Sequence, residues 1–396
     1  MTHRSLRRGG SRLRKLWVPT LVALAMLATA CGGGGPTGPG NGQNSLHPKG
    51  RSAEKIDNLF TPVAFVAVAV GIFILAATIF VALRYRHRPG RDDRPKQTHG
   101  STPVEIAWTI VPALILLIVA VPTISTIFDL AEEPGRDALQ VTVVAKQWWW
   151  QFEYTGLGEK GNEQVVTSDE LHIPTGRDVR VKLKACDSSL PGGFNGGPGC
   201  NVIHSFWVPE LAGKRDVVPG RVNETKLRAD NAGTYLGQCA EYCGLSHANM
   251  RFRVIAESPS DFDAWLAGQR EGPAVKLADA GEASNLFQKK FQCTNCHTTE
   301  DSTLSVYGPN LTHLASRSTF ASGYYELTKA KLVEWILDAP SLIPMESEDC
   351  RLPGAPGGPG VTCVGMPSFT KDTPKGAPVM TRAEAETLAD YLLKLK

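Results

Sequence analysis

No acidic residue occurs among the first thirty positions, and no charged residue interrupts the stretch from Leu59 to Leu83. The 396-residue chain also lacks an internal repeat, and it contains only nine histidines. Each absence excludes something. Without a repeat, solenoid and propeller arrays are ruled out. Roughly 25 apolar residues without a charge cannot form a solvated helix, but they can span a bilayer with some tilt. Six cations (Arg4, Arg7, Arg8, Arg12, Arg14 and Lys15) stand unopposed in the acid-free leader, so the net charge of +3 says nothing about nucleic acid. The remainder of the chain is mildly acidic and would suit a basic partner. No acid–base or nucleophilic constellation stands out, which argues against self-contained catalysis.

Residues 1–31 read as a secretory signal: a basic start, an apolar run from Leu16 to about Leu27, and a small-residue end, Ala28-Thr29-Ala30-Cys31. A cysteine in that setting resembles a bacterial lipoprotein cleavage site and would make Cys31 the lipidated residue. Ala28 stands where leucine is usual, and ordinary cleavage after Ala30, or none, is the alternative. Residues 32–54, rich in glycine and proline, read as a flexible linker. A transmembrane helical hairpin follows over 55–130, with spans at about 59–83 and 106–128. The loop between the spans carries Arg84, Arg86, Arg88, Arg91, Arg94 and Lys96 against Asp92 and Asp93. The positive-inside rule places it in the cytoplasm and puts both flanking segments outside. Alternating patterns such as QVTVVAKQWWWQFEY and DVRVKLKA predict an all-β domain over 135–257. A short helix (DFDAWLAGQ) and linker occupy 258–280, and helical patterns at both ends of 281–396 predict a small α-helical domain.

The most informative stretch is Cys239-Ala-Glu-Tyr-Cys243-Gly-Leu-Ser-His247-Ala-Asn-Met250. Two thiolates, an imidazole and a thioether form a soft ligand set of the kind that selects copper. One thiolate would suit a mononuclear site, whereas two can bridge a pair of copper ions. His204, in an otherwise apolar run, offers the second imidazole. A disulfide between Cys239 and Cys243, or a zinc site, are the alternatives; neither accounts for Met250.

CAEYCGLSHANM, together with VIHSFWVPELAGKRDVVPGRVNET and KQWWWQFEY, resembles the dinuclear-copper (CuA) domain of cytochrome c oxidase subunit II over roughly residues 55–257. The resemblance implies a cupredoxin-like Greek-key barrel. It implies two copper ions held by His204, Cys239, Cys243, His247, Met250 and the backbone carbonyl of Glu241. It further implies a magnesium ion shared with subunit I through the Glu241 carboxylate, and electrons arriving through Trp148. In a strand, Trp148, Trp149 and Trp150 alternate faces, so they cannot all be core, and a membrane-interface belt is the plain alternative. Glu105 also has a plain reading, because Thr102-Pro103-Val104-Glu105 spells a capping box that opens the second span. By resemblance, Glu105 would also admit protons to subunit I.

Cys293-Thr-Asn-Cys296-His297 is a C-x-x-C-H motif, whose thiols attach haem c covalently and whose histidine becomes an axial ligand. Residues 281–396 resemble class I cytochrome c, with Tyr307-Gly308-Pro309-Asn310-Leu311 after the motif and Met366 in the loop of the second axial ligand. Met345 and Met380 read as packing residues. The remaining cysteines flank glycine- and proline-rich loops, so Cys186–Cys200 and Cys350–Cys363 are expected as disulfides; metal binding by these four is the weaker alternative.

Together these features are expected for subunit II of a proton-pumping terminal oxidase in a bacterial plasma membrane. It would pass electrons from haem c to the copper pair and on to the oxygen-reducing site of subunit I, with subunit III alongside. A cytochrome c or a cytochrome bc-type complex would be the donor. A membrane-tethered copper-handling or redox protein is the alternative. Nine histidines are too few for a nitrous oxide reductase, and quinol oxidase subunits lack the copper ligands.

Overall fold

The computed structural model describes residues 43–86, 90, 99–157, 163–186, 200–302, 307–345, 364–370 and 378–396. The expected signal at 1–31, Cys31 and the Cys350–Cys363 pairing lie outside the described residues.

Two long helices open the described chain, α1 (Arg51–Arg84) and α2 (Thr102–Ala131). Both are long and apolar enough to cross a membrane. Backbone groups bond within each helix, as a bilayer demands, except where Pro62, Pro112 and Pro122 each remove a donor. Lys55 near the start of α1 lies 3.6 Å from Asp129 near the end of α2, so the two run as an antiparallel hairpin. The flexible linker predicted up to residue 54 ends sooner. Lys49 N–H donates to the Glu210 carbonyl at 2.7 Å and Ala53 N–H to that of Leu211 at 3.2 Å, which pins the approach to α1 on the β domain. The capping box predicted at Thr102 does not form, because Ser101 is the N-cap, without a side-chain cap bond, and Thr102 already lies inside the helix.

Ten strands follow: β1 (Leu139–Lys146), β2 (Trp149–Leu157), β3 (Glu163–Ser168), β4 (Glu170–Pro174), β5 (Val179–Ala185), β6 (His204–Trp207), β7 (Arg215–Val217), β8 (Val222–Leu227), β9 (Gly233–Cys239) and β10 (Arg251–Glu257). They form two five-stranded sheets, ordered β3-β2-β1-β5-β8 and β4-β10-β9-β6-β7. The pairs β1–β5 and β4–β10 are parallel, and the other pairs are antiparallel. This mixed two-sheet sandwich is cupredoxin-like. Alternation in VRVKLKA puts Val179, Val181 and Leu183 of β5 into the core, as period-2 geometry requires. Fully buried Trp150, Phe206 and Phe252 meet between the sheets, with ring centroids 4.7 to 5.6 Å apart.

The tryptophan triplet departs from expectation, since Trp148, Trp149 and Trp150 are all buried. Trp150 points into the sandwich, whereas Trp148 and Trp149 line a cavity walled on its other side by the C-terminal region. The face that alternation leaves outside the sandwich is therefore covered by a later part of the same chain.

Beyond β10 come α3 (Pro259–Arg270), the short α4 (Glu282–Asn285) continuing into a π turn at Leu286–Lys290, the ribbon β11 (Thr319–Phe320) and β12 (Tyr325–Glu326), α5 (Lys329–Leu342) and α6 (Arg382–Leu392). Thr381 and Glu384 cap α6 reciprocally. Leu286, Phe287, Phe291, Leu332, Ile336, Leu388 and Leu392 belong to a second apolar core separate from the sandwich. The described part of this region carries fewer helices than an all-α domain would, because long turns and the β11–β12 ribbon occupy its middle.

Phe252 is in ring contact with Trp150, Phe152 and Phe206. Phe252→Ala should therefore lower stability by about 3–5 kcal/mol through the cavity it leaves. Thermal or denaturant unfolding of the full chain in detergent measures the loss.

Candidate metal centre

Antiparallel pairing sets Phe206 of β6 opposite Cys239 of β9. His204, two residues upstream, therefore reaches past the end of β9. Its Nδ1 lies 3.9 Å from Cys239 Sγ. Cys239 N–H donates to the Met250 carbonyl at 2.9 Å, closing the β9–β10 connection into a tied loop. Within it, a 3-10 turn at His247–Asn249 brings His247 and Met250 back over Cys243.

The two thiol sulfurs are 3.9 Å apart and unbonded. His247 Nδ1 lies 3.6 Å and Met250 Sδ 3.8 Å from Cys243 Sγ. On the other side, the Cys239 thiol donates to the Glu241 carbonyl at 3.1 Å. Ligand atoms of His204, Cys239 and Cys243, all buried residues, lie within 4.8 Å of one another, close enough to hold a metal ion. His204, the Glu241 carbonyl, His247 and Met250 all lie around the same sulfur pair. The disulfide alternative is thereby excluded, and a zinc ion would leave the Met250 sulfur without a role.

The two thiols influence each other's charge. The contact with Cys243 holds the Cys239 thiol well below its ordinary range against the opposing effect of burial, with His204 assisting. The same contact, and burial, push Cys243 up. Cysteines ligate a metal only as thiolates, so a metal ion bound here would displace thiol protons.

Trp148 Nε1 donates to the Cys243 carbonyl at 3.1 Å, and Gln147 Nε2 to the same oxygen at 2.5 Å. Gly244 adopts φ +116, and a Cβ there would stand 2.8 Å from Gln147 Nε2 and 3.1 Å from the Trp148 ring. Glycine therefore lets the loop press against the tryptophan.

Across the cavity from Trp148 stand Cys293, Cys296, His297 and Met366. His297 Nδ1 lies 2.8 Å from the Pro309 carbonyl, a contact that leaves Nε2 unprotonated. Burial pushes the Cys293 thiol up to about 12 and the Cys296 thiol up to about 11, so both stay neutral, unlike the copper-loop pair. Met345 and Met380 line the same cavity. Glu105 sits exposed in the first turn of α2. Cys186 and Cys200 form the expected disulfide.

Several site-shaping residues were not legible in the sequence. Asp169 and Glu170, at the crossover between the two sheets, clamp the loop before and after β11. Glu170 Oε1 accepts from Ser318 N–H at 3.0 Å, Ser318 Oγ at 2.6 Å, Thr319 N–H at 3.0 Å and Thr319 Oγ1 at 2.8 Å. Asp169 accepts from Trp150 N–H at 3.0 Å and Ser322 N–H at 3.2 Å, while Ser322 Oγ donates to the Trp148 carbonyl at 2.6 Å. No local motif marks contacts that join residues about 150 positions apart.

The description "Cytochrome C oxidase subunit II, transmembrane domain" matches residues 44–126, and "Cytochrome C oxidase subunit II, periplasmic domain" matches residues 197–257. Cytochrome c oxidase subunit 2 of Alkalihalophilus pseudofirmus is 38% identical over 307 residues, 75% of this chain and 82% of that protein.

The chain belongs to the cytochrome c oxidase subunit II family.

A second subunit 2, from Bacillus subtilis, is 32% identical over 76% of this chain and 84% of its own length. Among solved structures, the periplasmic domain of subunit II of the Bradyrhizobium japonicum cytochrome oxidase aligns at 27% identity, TM-score 0.28, over 34% of this chain and 95% of that one. As a subunit II, the protein is part of a haem-copper oxidase complex, with subunit I as its partner. Its two spans and its match to the periplasmic domain fit a membrane protein whose copper domain lies outside.

Burial raises the Asp169 carboxyl from 3.8 to about 7. The folded chain therefore holds this proton more tightly than the unfolded chain. The resulting stabilisation is complete below about pH 4 and is lost as pH rises through about 7. Unfolding of the Asp169→Asn variant, compared with the parent across that window, should show a flatter pH dependence.

Proposed function

We propose that this subunit II is the electron-accepting chain of its oxidase, with a dinuclear copper centre in the β9–β10 loop and a covalent haem c in the C-terminal region. The observation that carries the reading is the shared cavity, with Trp148 on one wall and the Cys293–His297 motif on the other. When bound, the copper pair and the haem supply one-electron carriers.

The chain's own residues have separable tasks in this reading. Cys239, Cys243, His204, His247, Met250 and the Glu241 carbonyl would hold the copper pair, the two thiolates supplying soft, negatively charged donors. Burial of His204, Cys239, Cys243 and Met250 limits water at the site, and the tied loop holds its geometry through a change of charge. The Glu241 carboxylate takes part in a magnesium site facing subunit I. On the haem side, Cys293 and Cys296 give the thioether links. His297 offers Nε2 because the Pro309 carbonyl holds Nδ1, and Met366 gives the second axial sulfur. Histidine–methionine ligation raises a haem potential into the range that feeds an oxidase. The apolar wall of Phe287, Phe291 and Leu388 suits a macrocycle. The region from about 281 to 396 is then a reduced class I cytochrome c domain.

Trp148 is only 6% exposed and lies beneath Ser322, so it is shielded from a soluble donor. We assign it to relay within the chain, with cytochrome c or a cytochrome bc-type complex meeting the haem region. Glu105, at the start of α2, admits protons to subunit I in a proton-pumping complex, with subunit III as a further neighbour. Cys31 carries a lipid anchor at a bacterial plasma membrane.

Copper and covalent haem content of the purified full chain test this, together with near-infrared absorption and electron paramagnetic resonance of the oxidised form. The reading requires about two coppers with a mixed-valence signal and one haem that resists acid–acetone extraction. Cys243→Ser should abolish the mixed-valence signal and leave the haem in place. Met366→Leu should keep both metals and lower the haem potential. Haem without copper would overturn the dinuclear centre and leave an oxidase subunit II that carries haem alone.

A further inference from the structure

We propose that Ser246 and Met345 are positioning residues that tie the copper-ligand loop to the loop bearing Met366, so that each centre's ligand geometry depends on the other's. This rests on the copper and haem readings above.

The tie begins in α5. Pro340 lacks the N–H of a continuing helix, and Asp338 leaves helical geometry at φ −156, ψ 70. The redirected chain carries Ile343, Pro344 and Met345 to the β sandwich, where the Pro344 carbonyl accepts a hydrogen bond from Ser246 Oγ. Ser246 lies between Cys243 and His247 and is 1% exposed. Asn249 Nδ2 reaches the same hydroxyl at 3.4 Å.

One residue further on, Met345 Sδ accepts the backbone N–H of Met366 at 3.2 Å. A thioether is a weak acceptor, so its use here fixes the Met366 backbone to one side chain. Gly365, at φ +98, permits the approach: a Cβ there would stand 2.5 Å from Met345 Sδ. Met345 packs on the sandwich core, whereas Met366 packs on the C-terminal core. Two non-covalent links, Ser246–Pro344 and Met345–Met366, thus connect Cys243 to Met366. A residue serving only as packing would not need its sulfur at that N–H.

The test uses the full chain, purified in detergent with copper and haem bound. The midpoint potential of the covalent haem and its methionine–iron charge-transfer band are followed in Ser246→Ala, in Met345→Leu, which nearly conserves volume, and in the double variant. Each single variant should lower the potential and weaken the band while keeping the parent's haem and copper content. The double variant should shift by less than the sum of the singles, because both act along one connection. Potentials that stay at the parent value, or strictly additive shifts, overturn the tie. A lowered melting temperature without a moved potential does so too, since that marks packing alone. Should Ser246→Ala fail to load copper, Met345→Leu decides by itself. A parent chain without covalent haem overturns the haem reading and the tie together; a haem-loaded parent with unmoved variants overturns the tie alone.

Discussion

Two thiols held 3.9 Å apart, buried and unbonded, are the constraint on which the rest of this molecule depends. Sulfurs that close would oxidise to a disulfide or drift apart unless the backbone on both sides were fixed. The β6–β9 register fixes one side and the Cys239–Met250 backbone bond closes the other. The hydrophobic sandwich beneath is rigid because Trp150, Phe206 and Phe252 fill the space between the sheets. Two buried sulfurs with imidazoles and a thioether beside them make a soft donor set, and a soft cation bound there would displace thiol protons.

A second constraint acts between the sandwich and the C-terminal region. Asp169 and Glu170 are fully or nearly fully buried, and a buried carboxylate is tolerable only with a full set of donors. Apart from Trp150 N–H, the donors come from Ser318, Thr319 and Ser322, so the later segment completes what the sandwich leaves unmet at its crossover. Hydrogen bonds to charged groups contribute about 1.5–3 kcal/mol each. Their concentration at one corner locks the cavity wall that faces Trp148.

Much of the fold was legible because it follows local rules. Two charge-free runs gave the spans, and alternation gave β5. The helical pattern at the end of the chain marks α6 (Arg382–Leu392). Where local rules misled, a distant segment had intervened. Alternation keeps Trp148, Trp149 and Trp150 from all entering one core, yet all three are buried because the C-terminal region adds a second cover. The linker was expected to run free to residue 54, yet Glu210 and Leu211 hold its end. At Thr102 the miss was local, a shift of one residue in where the helix begins.

By itself the sequence determined the ligand chemistry, since two cysteines, two histidines and a methionine define a soft donor set wherever they meet. It also determined the two spans, because transfer of apolar residues from water depends on composition alone. Only the tertiary structure decided that His204 stands beside Cys239, that Trp148 bonds to the Cys243 carbonyl, and that Pro344 reaches Ser246. These contacts join residues 35, 95 and 98 positions apart. Their geometry is set by strand register and by which buried groups must find partners, and neither is written in any short stretch of chain.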